Sequence, residues 1–175
     1  MTRAQLEHIL RASAGITGAS EFIVVGSQSI LGAVPNPPRE LTLSVEADIF
    51  TLRSPHDANL IEGTIGEGSP FHSTFGYHAH GVGPETAKLP RGWQQRLVRV
   101  ASPETGGAAG LCLDPTDLAV SKLIAGREKD IDFVAALFRH RLADPASARG
   151  RLAETDAPAP VLAAAGNLLR RLTGV

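Results

Sequence analysis

Between Phe22 and Phe50 the chain reads FIVVGSQSILGAVPNPPRELTLSVEADIF, and no other stretch restricts the fold as tightly. Glu21 to Val25 is a short apolar run suited to a buried strand, and Gly26 marks its end. Ser27 to Val34 supports a short helix, which Pro35, Pro37 and Pro38 stop by removing backbone donors and crowding the preceding turn. From Leu41 to Leu52 the pattern has period two. Leu41, Leu43, Val45, Ala47 and Ile49 fall on one face, and Thr42, Ser44, Glu46, Asp48 and Phe50 on the other, which predicts a second strand. A strand, a glycine-serine turn, a short helix and a strand carrying two carboxylates must therefore follow one another closely.

The flanking segments supply helices and further strands. Arg3 to Ser13 places Leu6, Ile9 and Leu10 at helical spacing behind a Thr2 cap, with Gly15 and Gly18 ending the helix. Ser54-Pro55 predicts a helix start, with Leu60 and Ile61 as its core contacts and Gly63, Gly66 and Gly68 as breakers. Phe71 to Val82 reads as extended and Gln95 to Ala101 as a strand, joined by a turn-rich loop that Trp93 anchors. Asp114-Pro115-Thr116-Asp117 is a strong helix start: a capping Asp, proline at the first position and a carboxylate at the third. A second helix runs from about Lys129 to Arg141 with Ile131, Val134, Leu137 and Phe138 on one face. Asp144-Pro145 opens a third, and DAPAP leads into a last one.

At 175 residues the chain suffices for one domain with a sizeable core and falls short of two. We expect one domain over residues 1–142 and a C-terminal helical annex, 143–175, packed on it. Apolar residues make up 43% and charged residues 20%, a globular balance that disfavours wholesale disorder. No stretch has the roughly 18 consecutive apolar residues of a membrane helix, and the first residues lack a signal peptide's apolar core, so a cytoplasmic location is expected. Cys112 is the single cysteine, which rules out an intrachain disulfide and a cysteine-based zinc site; its LCLD setting reads as a small buried hydrophobe. Seventeen basic and eighteen acidic residues leave a net charge of −1, so no dominating basic field for nucleic acid exists. A local patch of Lys88, Arg91, Arg96 and Arg99 remains open as an RNA contact.

Residues two apart on a strand point to one face, so Glu46 and Asp48 project side by side. They either hold a cation, which relieves the repulsion between two adjacent carboxylates, or extend a solvated polar stripe with Thr42 and Ser44. Gly26-Ser27 either lets backbone amides and a hydroxyl approach phosphate oxygens or simply caps a helix. His72, His78 and His80 form a remaining cluster. His78 and His80 share a face if the segment is extended, a spacing that also suits zinc, but no cysteine and no helix-borne HExxH accompanies them. They are read as surface histidines beside Tyr77, with acceptor binding as a further role open to them.

The combination of Gly26, Ser27, Glu46 and Asp48 resembles the nucleotidyltransferase superfamily, in which a Gly-Ser motif opens a helix and acidic residues alternate on the next strand. The segment DPTDLAVSKLIAGREKDIDF, residues 114 to 133, is similar to the lysine and aspartate motifs of the minimal, abortive-infection (AbiEii-like) toxin nucleotidyltransferases. Lys122 and Asp130 are the matching positions, with Arg127 in support. The bare residues also allow a snorkelling lysine at 122 and a helix N-terminal acid at 130. Two departures stand out. Glu46 occupies a position that is usually Asp, and the Leu97 to Val100 strand lacks the third carboxylate of polymerase-like members, which the loop residues Glu85 and Glu104 do not replace.

The resemblance implies an α+β fold: a small mixed sheet of the polymerase-beta-like type with flanking and C-terminal helices. It implies Mg²⁺ held by Glu46 and Asp48, and the phosphates of an NTP held by Gly26, Ser27, Lys122 and Arg127. Asp130 would orient or deprotonate an acceptor hydroxyl on tRNA, protein or a small molecule. The alternative is an inactive binding or regulatory protein of the same fold, in a defence or toxin-antitoxin pair with a cognate antitoxin.

Overall fold

The computed structural model describes residues 1–174. It has helices α1 (Arg3–Thr17), α2 (Ile30–Ala33), α3 (His56–Ile65), α4 (Pro70–Phe75), α5 (Pro115–Ala125), α6 (Glu128–Arg139), α7 (Pro145–Ala153) and α8 (Ala159–Thr173). The strands are β1 (Glu21–Val25), β2 (Glu46–Phe50), β3 (His78–Gly81), β4 (Val98–Val100) and β5 (Ala109–Cys112), in the sheet order β3-β2-β1-β5-β4. β1 runs antiparallel to β2 and parallel to β5; β2 is parallel to β3, and β4 antiparallel to β5. The central β1 is apolar and buried from Phe22 onward because it is covered on both sides, as a near-continuous hydrophobic run requires.

Local chemistry places most of the boundaries. Thr2 and Gln5 form a capping box at the start of α1, and Gly18 closes it at φ 68°, while Gly15 lies within the helix. Asp114 accepts from the amides of Thr116 and Asp117 and caps α5, as its sequence predicts. Ser54 Oγ accepts from the His56 amide at 3.2 Å, so the expected hydroxyl does act at the head of α3. That helix runs through Gly63 and stops at Gly66; Ile61 is buried, whereas Leu60 faces outward.

Three predicted extended segments are corrected. The strand expected over Leu41–Leu52 is only Glu46–Phe50, and a 3₁₀ turn at Arg39–Leu41 follows the prolines. Leu43 is 72% exposed, and the neighbouring Thr42 and Ser44 carbonyls accept from the Met1 amine (2.5 and 2.8 Å) and not from a strand. Phe71–Val82 divides into α4 and β3 at Gly76: Ser69 caps the helix, Pro70 occupies its first position, and the left-handed Gly76 ends it. Gln95–Ala101 keeps only β4 as strand, because Trp93–Arg96 winds into a 3₁₀ turn behind the left-handed Gly92.

Two close approaches hold helices against the sheet. A Cβ at Gly32 of α2 would fall 2.4 Å from Cys112 Cβ, and one at Gly81 of β3 would fall 2.0 Å from the Ala58 carbonyl of α3. Cys112 is buried, and desolvation pushes its thiol up to about 12, so it packs as the small hydrophobe its sequence predicts.

Candidate active site

The site begins where β1 ends. Gly26 turns the chain at φ 63° and ψ −169°, a region open in practice only to glycine. A Cβ on Gly26 would lie 2.0 Å from Asp48 Oδ2. The missing side chain is what lets the turn and the Asp48 carboxylate share one wall. Register explains the meeting, since Val25 pairs with Asp48 across the antiparallel β1/β2 ladder. Beyond the turn, the Ser29 amide and hydroxyl both donate to the Gly26 carbonyl (3.2 and 2.9 Å) and hold the bend.

The parallel β2/β3 ladder sets Glu46 beside His78 and Asp48 beside His80. His80 Nδ1 lies 2.9 Å from Asp48 Oδ1 and 3.6 Å from Glu46 Oε1. The reading of the histidines as surface residues holds for the exposed His80 and is corrected for His78. His78 is buried, with its ring 4.4 Å from that of His72, its Nε2 3.5 Å from Glu46 Oε2 and its Nδ1 without a partner. His80 joins the carboxylates, a role sequence reasoning missed. The signal was the His-x-His spacing on a strand following Glu-x-Asp; what sequence lacks is the knowledge that the two strands are neighbours.

Burial, then the nearby Glu46, raises the Asp48 pKa against the opposing hydrogen bond from His80. Burial lowers that of His80, but the Asp48 hydrogen bond and charge outweigh it and the net shift is upward. Donor chemistry is the test of whether these residues fit a metal. Ligand atoms of Glu46, Asp48 and His80 all lie within 4.8 Å of one another, and a cation between two such carboxylates relieves their repulsion. Such a set fits a divalent cation.

The opposite wall comes from the α5–α6 hairpin. Lys122 stands in the last turn of α5, Gly126 closes that helix in the left-handed region, Arg127 occupies the corner and Asp130 the first turn of α6. Lys122 Nζ donates to Asp130 Oδ1 at 2.8 Å, and Arg127 Nε to Asp130 Oδ2 at 2.6 Å. The lysine also lies 4.5 Å from the centre of the Phe133 ring. Burial lowers the Lys122 pKa against the pull of Asp130. For Asp130 burial acts upward, and the hydrogen bonds from Arg127 and Lys122 overcome it, so the carboxyl stays below its usual range. Arg127 is raised, first by its Asp130 hydrogen bond and further by the charges of Asp48 and Glu46 across the gap.

A cleft of about 850 Å³ lies between the walls, lined by Gly26, Ser27, Glu46, Asp48, His80, Lys122 and Arg127 among others. Six of the seven residues singled out from sequence thus meet on one cavity. Asp130 is fully buried behind Lys122 and Arg127 and does not line it.

The basic patch is corrected in part. Arg96 is bound by the buried Asp117 at 2.8 and 3.0 Å, and Arg99 by Glu21 at 2.6 Å, so neither is a free cation.

No curated protein and no solved structure matches the chain. The family model for nucleotidyltransferases of unknown function (DUF6036) matches residues 4–142, and the chain belongs to that family.

Proposed function

We propose that this protein transfers a nucleoside monophosphate from an NTP to an acceptor hydroxyl in the cleft between β2 and the α5–α6 hairpin. The observation that carries the reading is the meeting of a glycine turn, a carboxylate pair and two cations on one cavity. Bound by Glu46 and Asp48, a divalent cation, with Mg²⁺ as the ion the family resemblance implies, would neutralise charge building on the phosphates.

The chain's own residues do the rest. Gly26 leaves room for phosphate oxygens at the backbone, and Ser27 offers its amide and hydroxyl beside them. Lys122 and Arg127 face the carboxylates and stabilise the negative charge that passes to the departing pyrophosphate. Asp130 acts as a positioning residue: both its oxygens are engaged, and it holds the two cations in place instead of accepting the acceptor's proton.

Calorimetric titration with each NTP in the presence of Mg²⁺, repeated on Asp48→Ala, tests the site. Binding to the wild type that disappears in the variant supports it, and binding indifferent to Asp48 removes the metal assignment.

A second reading, a binding protein that has lost transfer, is favoured by Glu46 and by the engaged state of Asp130. Incubation with labelled NTP and total cellular RNA and protein separates the two, because label transferred in a Ser27- and Asp48-dependent way excludes the inert protein. The abortive-infection subtype, with a cognate antitoxin, is supported by the likeness of residues 114 to 133 alone. Growth arrest on expression, relieved by Asp48→Ala, is the outcome it requires.

A further inference from the structure

We infer that His80 is a ligand of the metal ion itself, and that the resulting nitrogen-and-oxygen site favours first-row transition ions over Mg²⁺. The inference rests on the cleft being the metal-dependent site proposed above, and adds to it a residue and an ion class.

Geometry is the first ground. Metal ligands about 2.1 Å from one ion stand about 3 Å apart at adjacent octahedral positions. His80 Nδ1 is 2.9 Å from Asp48 Oδ1 and 3.6 Å from Glu46 Oε1, close to that spacing, so one ion can take the place of the His80–Asp48 hydrogen bond with small side-chain movements. Among the described residues, Glu46, Asp48 and His80 form the one group of three such ligands that converge. The β2/β3 register sets His80 opposite Asp48, so its position is built into the sheet.

Accessibility is the second ground. The His80 side chain is 46% exposed and lines the cleft, so its ring is free to turn toward an ion. His78 differs: it is buried, its Nε2 lies 3.5 Å from Glu46 Oε2, and it does not line the cavity.

Ion choice follows from the donor set. Mg²⁺ takes oxygen donors in near-ideal octahedral sites, whereas an imidazole nitrogen suits ions further along the first transition row. One of the two departures in the sequence then has an account. The strand that lacks a carboxylate is β4, remote from the cleft, and the third donor comes from β3 as a histidine.

The test uses the full chain with Mn²⁺ as probe. Electron spin-echo envelope modulation of the bound ion should show ¹⁴N coupling in the wild type and none in His80→Asp. Calorimetric competition should show the Mn²⁺:Mg²⁺ affinity ratio falling in His80→Asp, which exchanges the nitrogen donor for an oxygen that suits Mg²⁺. Circular dichroism verifies that the variant, changed at a half-exposed residue, keeps its fold.

Bound Mn²⁺ without ¹⁴N coupling in the wild type overturns the inference. So does coupling that survives in His80→Asp and is lost in His78→Ala, or an unchanged affinity ratio. Asp48→Ala separates the levels. If both ions bind in an Asp48-dependent way without nitrogen, the role of His80 falls and the proposed site stands; if neither ion depends on Asp48, both fall.

Discussion

Gly26 and Asp48 are a single device at the scale of residues. A methyl group on Gly26 meets both a glycine-only backbone conformation and the Asp48 carboxylate at 2.0 Å. Gly26→Ala should lower stability by roughly 1–3 kcal/mol and displace the carboxylate as well, so a thermal melt and a metal titration should fail together. Asp48 makes the opposite kind of prediction. Its folded pKa is raised by burial and then Glu46, so its contribution to stability is present below its unfolded pKa and lost as pH rises through the folded value. At pH 7 without metal the ionised group is a net cost. Asp48→Asn should therefore melt higher than wild type at neutral pH, with the advantage shrinking toward pH 4, while metal binding is lost. A lower melting temperature for Asp48→Asn at pH 7 would contradict that sign.

The α5–α6 hairpin is the element that supplies the cationic wall, and Asp130 is what orders it. The carboxylate is fully buried and its pKa is lowered by Arg127 and Lys122 against its burial, so its stabilisation is present above the unfolded value and lost as pH falls through the folded one. Asp130→Asn leaves Lys122 buried with no anion and should cost about 3–5 kcal/mol. The variant should lose the part of the wild type's stability that falls away as pH drops below the unfolded carboxylate value, and denaturant melts taken from neutral to acid pH measure it. Gly32 in α2 is a packing position: Ala there overlaps Cys112 Cβ at 2.4 Å and should cost about 1–3 kcal/mol by overpacking. Much of this level was legible in the sequence. Asp114-Pro115 and Ser69-Pro70 both carry their caps locally, but Phe71–Val82 also fits an extended run, so the sequence predicts only the first of these helices. Residues 41–44 alternate like a strand yet stay outside the sheet, since alternation reports side-chain polarity and not whether a partner strand is present.

At the scale of the whole molecule the C-terminal helices bear on the domain that carries the site. Arg151 of α7 donates to Asp114 and, at 2.9 Å, to the buried Asp117, which also receives Arg96. A double-mutant cycle on Arg151→Ala and Asp117→Ala should give a coupling of roughly 0.5–3 kcal/mol in denaturant melts. Full additivity would mean that this network does not join α7 to α5. The same pairing bears on the acceptor. With Arg96 and Arg99 engaged by Asp117 and Glu21, few cations remain near the loop for phosphate contacts, and each one absent lowers the salt slope of RNA binding by about 0.9. RNA affinity should therefore be weak and shallow in salt, as filter binding from low to high salt would register; a steep slope would favour a tRNA acceptor.

The sequence by itself determined the local features: the glycine-serine turn, the i, i+2 carboxylates, the capped helices and the hairpin that carries Lys122, Arg127 and Asp130. Each depends on neighbours a few positions away. Tertiary structure alone decided which of them share a cavity, because that depends on strand order. Only the β3-β2 pairing carries His80 to Asp48, and only the packing of α5 on α6 buries Asp130 against Lys122 and Arg127. Strand neighbours distant in the chain are chosen by how whole faces are covered, and no window of residues contains that information.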